Sequence, residues 1–240
     1  MGTLRAHMLK TMTQLTLPMG LKDGATFDNF YAGRNEEIVS LLKKSVLGQG
    51  ENMIYLIGSG GQGCSHLLQA CCHHAYSHHI RSVFLSFAEM DILSPDLLTD
   101  LESITLICLD DLQFIAGKRP WEESLFHLYN RVQETGSRIL IGAKYLPKAI
   151  HLQLADLTSR LSCGVIYKLQ ALTDKEKLSA LIMRANLRGI HLSFEVGKYI
   201  LTHLPRQMGE LFLALDVLDK ASLTLKRRLT IPFVKEVLKI

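Results

Sequence analysis

Between Asn52 and Val165 short apolar runs alternate with longer stretches of helical period. Met53-Ile-Tyr-Leu-Ile57 and Ile104-Thr-Leu-Ile-Cys-Leu109 are nearly uninterrupted apolar runs, and Arg81 to Phe87 alternates apolar and polar positions as a strand does. Arg138-Ile-Leu-Ile141 and Gly164-Val-Ile-Tyr-Lys-Leu169 complete a set of five predicted strands. Between them a helix is expected to start near Ser65. Another is expected over Trp121 to Glu134, with Trp121, Leu125, Leu128, Tyr129 and Val132 on one face. Strands this apolar, alternating with helices, predict a parallel sheet covered on both faces. After Leu172 only helical patterns remain. Thr173-Asp-Lys-Glu176 is a capping box opening a helix that ends near Gly189. Further helices are predicted from Ser193 to about Leu204 and from Gln207 to about Leu225, and a short last one from Thr230-Ile-Pro-Phe. The chain therefore reads as an α/β base of residues 26–170 and an all-helical unit of residues 171–240, preceded by a tail of residues 1–25.

Composition narrows the class. With 240 residues, 48% hydrophobic and 21% charged, the chain suits a globular fold. No apolar run reaches the roughly 18 residues that span a bilayer, and Met1 to Met12 lacks a signal-peptide core. Ala6 stands where a myristoylation signal needs Ser or Thr. Five cysteines, mostly in apolar segments, suggest reduced thiols and a cytoplasmic protein rather than a disulfide framework. The net charge of +4 is concentrated at the C-terminal end, where residues 171–240 carry 12 Lys and Arg against 7 Asp and Glu. Such a surface suits an acidic partner or nucleic acid, or is simply a solvated helical face.

The stretch Gly58-Ser-Gly-Gly-Gln-Gly-Cys64-Ser65 has the frame G-x-x-x-x-G-K-[ST] of a phosphate-binding loop, with Cys64 in place of the lysine. It follows a predicted strand and precedes a predicted helix, as that motif requires. Gly58, Gly60, Gly61 and Gly63 let backbone N–H groups surround phosphates, with Cys64, Ser65 and His66 opening the helix. The apolar strand Leu106-Ile-Cys-Leu109 ends in Asp110 and Asp111, the arrangement that supplies a Mg²⁺ ligand and a water-polarising acid. A glycine turn and an acidic strand cap are the plain alternatives for each motif alone. Cys71-Cys-His-His74 with His78 places Cys71, His74 and His78 on one helical face, but structural zinc draws its ligands from two elements, and no metal site is expected. Cys64 at a helix N-terminus could carry a lowered pKa.

These residues resemble a known family. Gly58 to Leu67, Leu106 to Gly117 and Leu157-Thr-Ser-Arg160-Leu161 resemble the AAA+ module of the DnaA family of bacterial replication proteins. Gln14-Leu-Thr-Leu-Pro-Met19, Leu128-Tyr-Asn-Arg131 and Lys226 to Ile240 are closer still to the family's shorter regulatory branch. The likeness covers Thr13 to Ile240 and stops where the initiator continues into a DNA-binding domain. Met8 or Met12 could then be the true start. The resemblance implies an AAA+ P-loop base with a parallel five-stranded sheet and a small helical lid.

It also implies roles. Gln14, Leu15, Leu17, Pro18 and Met19 occupy the position of a motif that binds the β sliding clamp of DNA polymerase III. An extended peptide with apolar anchors suits a greasy groove, although a plain tail is the other reading. Arg160 holds the arginine-finger position, where a planar, permanently charged guanidinium meets a neighbouring subunit's γ-phosphate; pairing with Asp156 is the alternative. Implied partners are DnaA and the clamp, with DNA reached through the clamp and a homo-oligomer possible. Cys64, Lys144 at the first-sensor position and Gly209 at the second-sensor position depart from the family pattern, although Arg206 could substitute for the latter. These departures argue against turnover in cis. They leave ADP, with Mg²⁺, as a weakly held or lost cofactor. The expected function is negative regulation of replication initiation by stimulating hydrolysis of DnaA-bound ATP. An autonomous AAA+ ATPase that loads a helicase or remodels DNA is the competing reading, and a DNA-binding module is a third.

Overall fold

A computed structural model describes residues 24–240. The chain divides into two compact units. The first comprises residues 37–59 and 64–169 with the short segment before Asp28. The second comprises residues 28–36, 60–63 and 170–240.

In the first unit α1 (Glu36–Val46, its first residue grouped with the second unit) precedes β1 (Met53–Ile57), α2 (Cys64–Ser77), β2 (Ser82–Ser86) and β3 (Leu106–Asp110). Then follow α3 (Arg119–Thr135), β4 (Arg138–Ala143), α4 (Ala155–Cys163) and β5 (Val165–Lys168). The strands form one parallel sheet in the order β2-β3-β4-β1-β5. All residues of β1 and β3 are buried, because a strand covered by helices on both faces has no polar side to present. The period of two sorts them. Tyr55, Ile57, Ile107, Leu109, Ile139 and Ile141 join Trp121, Leu125, Leu128 and Val132 of α3 in one core. Ile54, Leu56, Leu106, Cys108 and Leu140 are buried too, on the alternate positions; α2 packs on β2, β3 and β4, with Cys72 against Cys108.

The face predicted for the 121–134 helix is the face buried in α3. Gly136 ends α3 in a left-handed C-cap. The pattern gave no α1 or α4, each with a narrow apolar stripe. It also gave none of the 3-10 turns Phe87–Ile92, Pro95–Leu98 and Leu101–Ser103 between β2 and β3.

The second unit contains α5 (Asp174–Leu187), α6 (Phe194–His203), α7 (Met208–Leu225) and α8 (Ile231–Leu238). The Thr173 hydroxyl accepts from the Glu176 N–H at 3.3 Å and the Glu176 carboxylate accepts from the Thr173 N–H at 2.7 Å, so the capping box forms as predicted. The Ser193 and Thr230 hydroxyls cap α6 and α8 by accepting the Val196 and Phe233 N–H groups, without the reciprocal bond. Leu181, Ile200, Leu211, Leu215, Leu218 and Phe233 fill this unit's core. Residues 28–36 are tied to it by the buried Asn35. Its amide donates to the Gln170 carbonyl at 3.1 Å and accepts from the Gln170 N–H at 2.7 Å.

Trp121 is the chain's one tryptophan and lies in the first unit, so its fluorescence reports that unit. Leu125→Ala opens a cavity under the sheet and is expected to lower stability by about 2–5 kcal/mol in urea unfolding followed by this signal. Thr173→Ala removes a cap worth about 1 kcal/mol from the second unit, and should shift helical circular dichroism while leaving the tryptophan transition in place.

Candidate functional site

The site lies at the carboxyl ends of β1, β3 and β4, where open parallel sheets present their ligand crevice. Gly58 continues β1, and its N–H donates to the Ala143 carbonyl at 3.0 Å. The loop then turns through Gly61 and Gly63, both at positive φ, 83° and 93°. A side chain at Gly63 would meet the Phe30 ring at 2.6 Å, so this position requires glycine on two counts. Gly60 faces open space. The helix α2 begins at Cys64, leaving Ser65 exposed in its first turn, and the His66 Nε2 is 2.9 Å from the Thr26 carbonyl oxygen.

Cys64 occupies the lysine position but does not point outward as a lysine would. Its sulfur reaches inward, 3.9 Å from the Leu56 carbonyl oxygen. A Cβ at Gly142 of β4 would sit 2.7 Å from that sulfur and 2.4 Å from Asp110 Oδ1. Gly142 is therefore the residue that lets thiol and carboxylate share the space at the strand ends. The expectation of a lowered Cys64 pKa is corrected: burial, then the negative charges of Asp110 and Asp111, push the thiol well above its ordinary range. The helix N-terminus cannot offset a sulfur turned into the base beside two acids.

Asp110 is buried, 3% exposed, and its Oδ1 accepts from the Asp111 N–H at 2.9 Å. Burial raises its pKa. The Ser65 hydroxyl opposes that rise, Asp111 adds to it, and the Asp111 N–H and the Lys144 charge oppose it. Asp111 sits in a left-handed conformation, φ 58°. Its carboxylate is held on both oxygens, from the Ser86 hydroxyl at 3.1 Å and the Gln113 amide at 2.8 Å. Gln113 Oε1 in turn accepts the Lys144 N–H at 3.1 Å. The Lys144 ammonium lies 5.8 Å from the centre of the exposed Phe114 ring. Ser86, Gln113 and Gly142 escaped the sequence reading. Ser86 is the last residue of β2 and Gly142 the next-to-last of β4, neither in a motif of its own, and Gln113 stands two residues past the acids, where only the turn at Asp111 brings it back.

The structure thus brings Gly58, Cys64, Ser65, Asp110 and Asp111 together. Arg160 stands apart from them, exposed in the last turn of α4 and near Tyr129. Among the described residues it forms no ion pair, so the alternative pairing with Asp156 is not made. In the second unit Arg206 is engaged by Asp174 at 3.0 Å, and nothing lies within 4 Å of a Cβ built at Gly209. Cys71 is fully buried, whereas His74 stacks edge-on against Phe27 and His78. Among the described residues no group of three or more His, Cys, Asp or Glu is arranged to hold a metal ion, and no helix is long and apolar enough to cross a membrane. Gln14, Leu15, Leu17, Pro18 and Met19 lie outside the described residues.

The sequence model of the bacterial DnaA ATPase domain matches residues 21–168, more than half the chain. The chain belongs to the DnaA family. The model of the Hda lid domain matches residues 174–238, and together the two matches make this an Hda-like, DnaA-related AAA+ protein with a C-terminal helical lid domain. Solved structures agree on the fold. Domain III of the Thermotoga maritima replication initiator DnaA superposes with a TM-score of 0.76 at 21% identity, covering 90% of this chain and 95% of that one. AMPPCP-bound DnaA from Aquifex aeolicus gives 0.69 at 23% identity, covering 81% of this chain and 64% of that one. The Thermotoga maritima RuvB branch-migration motor gives 0.68 at 17% identity, covering 90% of this chain and 72% of that one.

A carboxyl with a raised folded-state pKa holds its proton more tightly folded than unfolded. Its ionisation therefore opposes folding, and the penalty, absent at low pH, grows as pH rises through the carboxylate range. Asp110→Asn keeps an oxygen for the Asp111 N–H and removes that charge. The variant should be more stable than the wild type at pH 7, with the gain shrinking toward pH 4, as measured by urea unfolding at both pH values. A gain that grows toward acid would overturn this account.

Proposed function

We propose that this protein is a negative regulator of replication initiation that binds the sliding clamp and stimulates hydrolysis of ATP held by DnaA. The observation that carries the reading is a pair of opposites in one domain. The lysine position holds an uncharged thiol turned inward, whereas Arg160 stands exposed and unpaired on α4. A chain that lacks the cation its own γ-phosphate needs, yet offers a free guanidinium, is suited to act on a neighbour's nucleotide. Such a finger contributes about 10³–10⁵ to phosphoryl transfer. Membership of the DnaA family and the Hda-type lid support DnaA as that neighbour.

The residues that would hold a nucleotide here fit a diphosphate better than ATP. The glycine loop and the N-terminus of α2 retain backbone donors, and Ser65 beside Asp110 retains oxygen ligands for Mg²⁺, but no cation stands at residue 64. The Aquifex relative binds AMPPCP, an ATP analogue. In this chain ADP would stabilise the base rather than be turned over. Gln14, Leu15, Leu17, Pro18 and Met19 would provide the clamp-binding peptide, which reaches DNA indirectly.

Reconstitution with DnaA-ATP and DNA-loaded clamp tests the reading. Arg160→Ala should return ATP hydrolysis to the unstimulated rate of DnaA while clamp binding is retained; stimulation at the wild-type rate would refute the finger. Replacing both Gln14 and Leu17 with Ala should abolish clamp capture in surface plasmon resonance, and undiminished capture would sink that assignment.

A further inference from the structure

Glu122 is a charged side chain with no exposure at all, in the first turn of α3. Burying a carboxylate is expensive unless its oxygens are satisfied. Here each oxygen accepts one main-chain N–H from a different segment. Oε1 accepts from Gly117 at 2.9 Å, in the loop that follows the Asp110–Asp111 strand. Oε2 accepts from Leu154 at 2.8 Å, the residue that precedes α4. Leu154 has no side chain able to cap α4, and α4 buries only Leu157 and Leu161. These anchors, with the partly buried Leu154 at its start, fix which face of the nine-residue helix turns inward, but such non-directional contacts leave its position along its own axis loosely held. The Glu122 carboxylate supplies that missing coordinate. It fixes the start of α4 to α3 as a capping residue would, from 32 residues away. Arg160 lies six residues beyond Leu154, about 9 Å along the same helix.

We infer that Glu122 is the positioning residue for Arg160, setting the register of α4 from which the guanidinium is presented to the partner's nucleotide. This rests on the reading of Arg160 as a finger. The inward carboxylate also joins the start of α4 to the loop after Asp111 through Gly117, so one side chain of α3 holds both segments. A misplaced finger loses its effect on the transition state without altering how the proteins dock, because phosphoryl transfer depends on placement within a fraction of an ångström to about 1 Å.

The test compares wild type, Glu122→Gln, Leu154→Pro and Arg160→Ala as full chains in the DnaA-ATP and loaded-clamp assay. Glu122→Gln keeps the shape but turns an amide donor toward a main-chain donor. Leu154→Pro deletes the N–H that Oε2 accepts and leaves α3 untouched; Leu154→Ala, expected to stimulate as the wild type does, controls for the loss of the partly buried leucine side chain. The inference expects Glu122→Gln and Leu154→Pro each to lower the saturating stimulated rate about tenfold or more, while the half-saturating concentration changes less than twofold and the amides in the first turn of α4 exchange faster with deuterium. A rise in half-saturation at an unchanged saturating rate would make Glu122 a docking residue and overturn the inference. Wild-type stimulation by Glu122→Gln alongside an inactive Arg160→Ala would overturn it alone. Wild-type stimulation by Arg160→Ala would overturn the finger reading and this inference with it. If Glu122→Gln does not fold, Leu154→Pro decides by the same measures.

Discussion

The first unit is organised by five parallel strands whose central members carry no polar face. Covering such strands requires a helix on each side, and parallel connections supply them, since each strand must be followed by a crossover before the next can begin. The even positions of β1 and β3 are buried as fully as the odd ones, and α2 and α3 are the elements that cover the sheet. Only the strand ends remain available for polar groups. This is why Gly58, Cys64, Asp110, Asp111 and Lys144 collect at the carboxyl edge rather than anywhere along the sheet.

At that edge space decides chemistry. Gly142 lacks the one atom that would collide with both Asp110 and Cys64, and the sulfur takes the room so released. The thiol is buried near a strand carbonyl and two acids, and burial first, then the acids, raise its pKa. Asp111 is held from Ser86 and Gln113 on both oxygens, which fixes its direction but leaves it less free to polarise a water. The edge is thus well ordered and poor in positive charge. A P-loop domain that has kept its order and lost its cation is consistent with a nucleotide site retained for structure, and this gives the proposed action in trans its physical basis. The chain combines a DnaA-type ATPase domain match over residues 21–168 with an Hda lid domain match over residues 174–238.

The second unit is stabilised differently. Its helices α5, α6 and α8 each begin with a hydroxyl cap, and its core is aliphatic with one buried phenylalanine. Beside the buried Asn35 hydrogen bonds, its polar links include exposed ion pairs, Arg206 with Asp174 and Arg227 with Glu236, which contribute little in water. The positive charge noted in residues 171–240 is therefore partly neutralised within the unit.

Local signals determined the strands, the main helices and the caps. Met53–Ile57 and Leu106–Asp110 declare themselves because burial on both faces leaves no polar residue to blur the run. Thr173 declares α5 because both partners of a capping box lie within four residues. The motif Gly58 to Ser65 and the acids at 110 and 111 were equally legible, since loop and strand end are short-range arrangements. What the sequence could not contain was the meaning of residues whose partners lie far along the chain. Glu122 reads as an ordinary acid on an amphipathic helix, and its burial depends on amides 5 and 32 residues away. Cys64 reads as a thiol at a helix N-terminus, and its pKa is raised first by burial under the strand ends and then by Asp110 and Asp111, more than 45 residues on. Gly142 reads as a break in a strand, and its necessity comes from groups on β3 and α2. Periodicity and capping act over a few residues, whereas desolvation, charge and excluded volume act through space, and space is assigned only when the sheet closes.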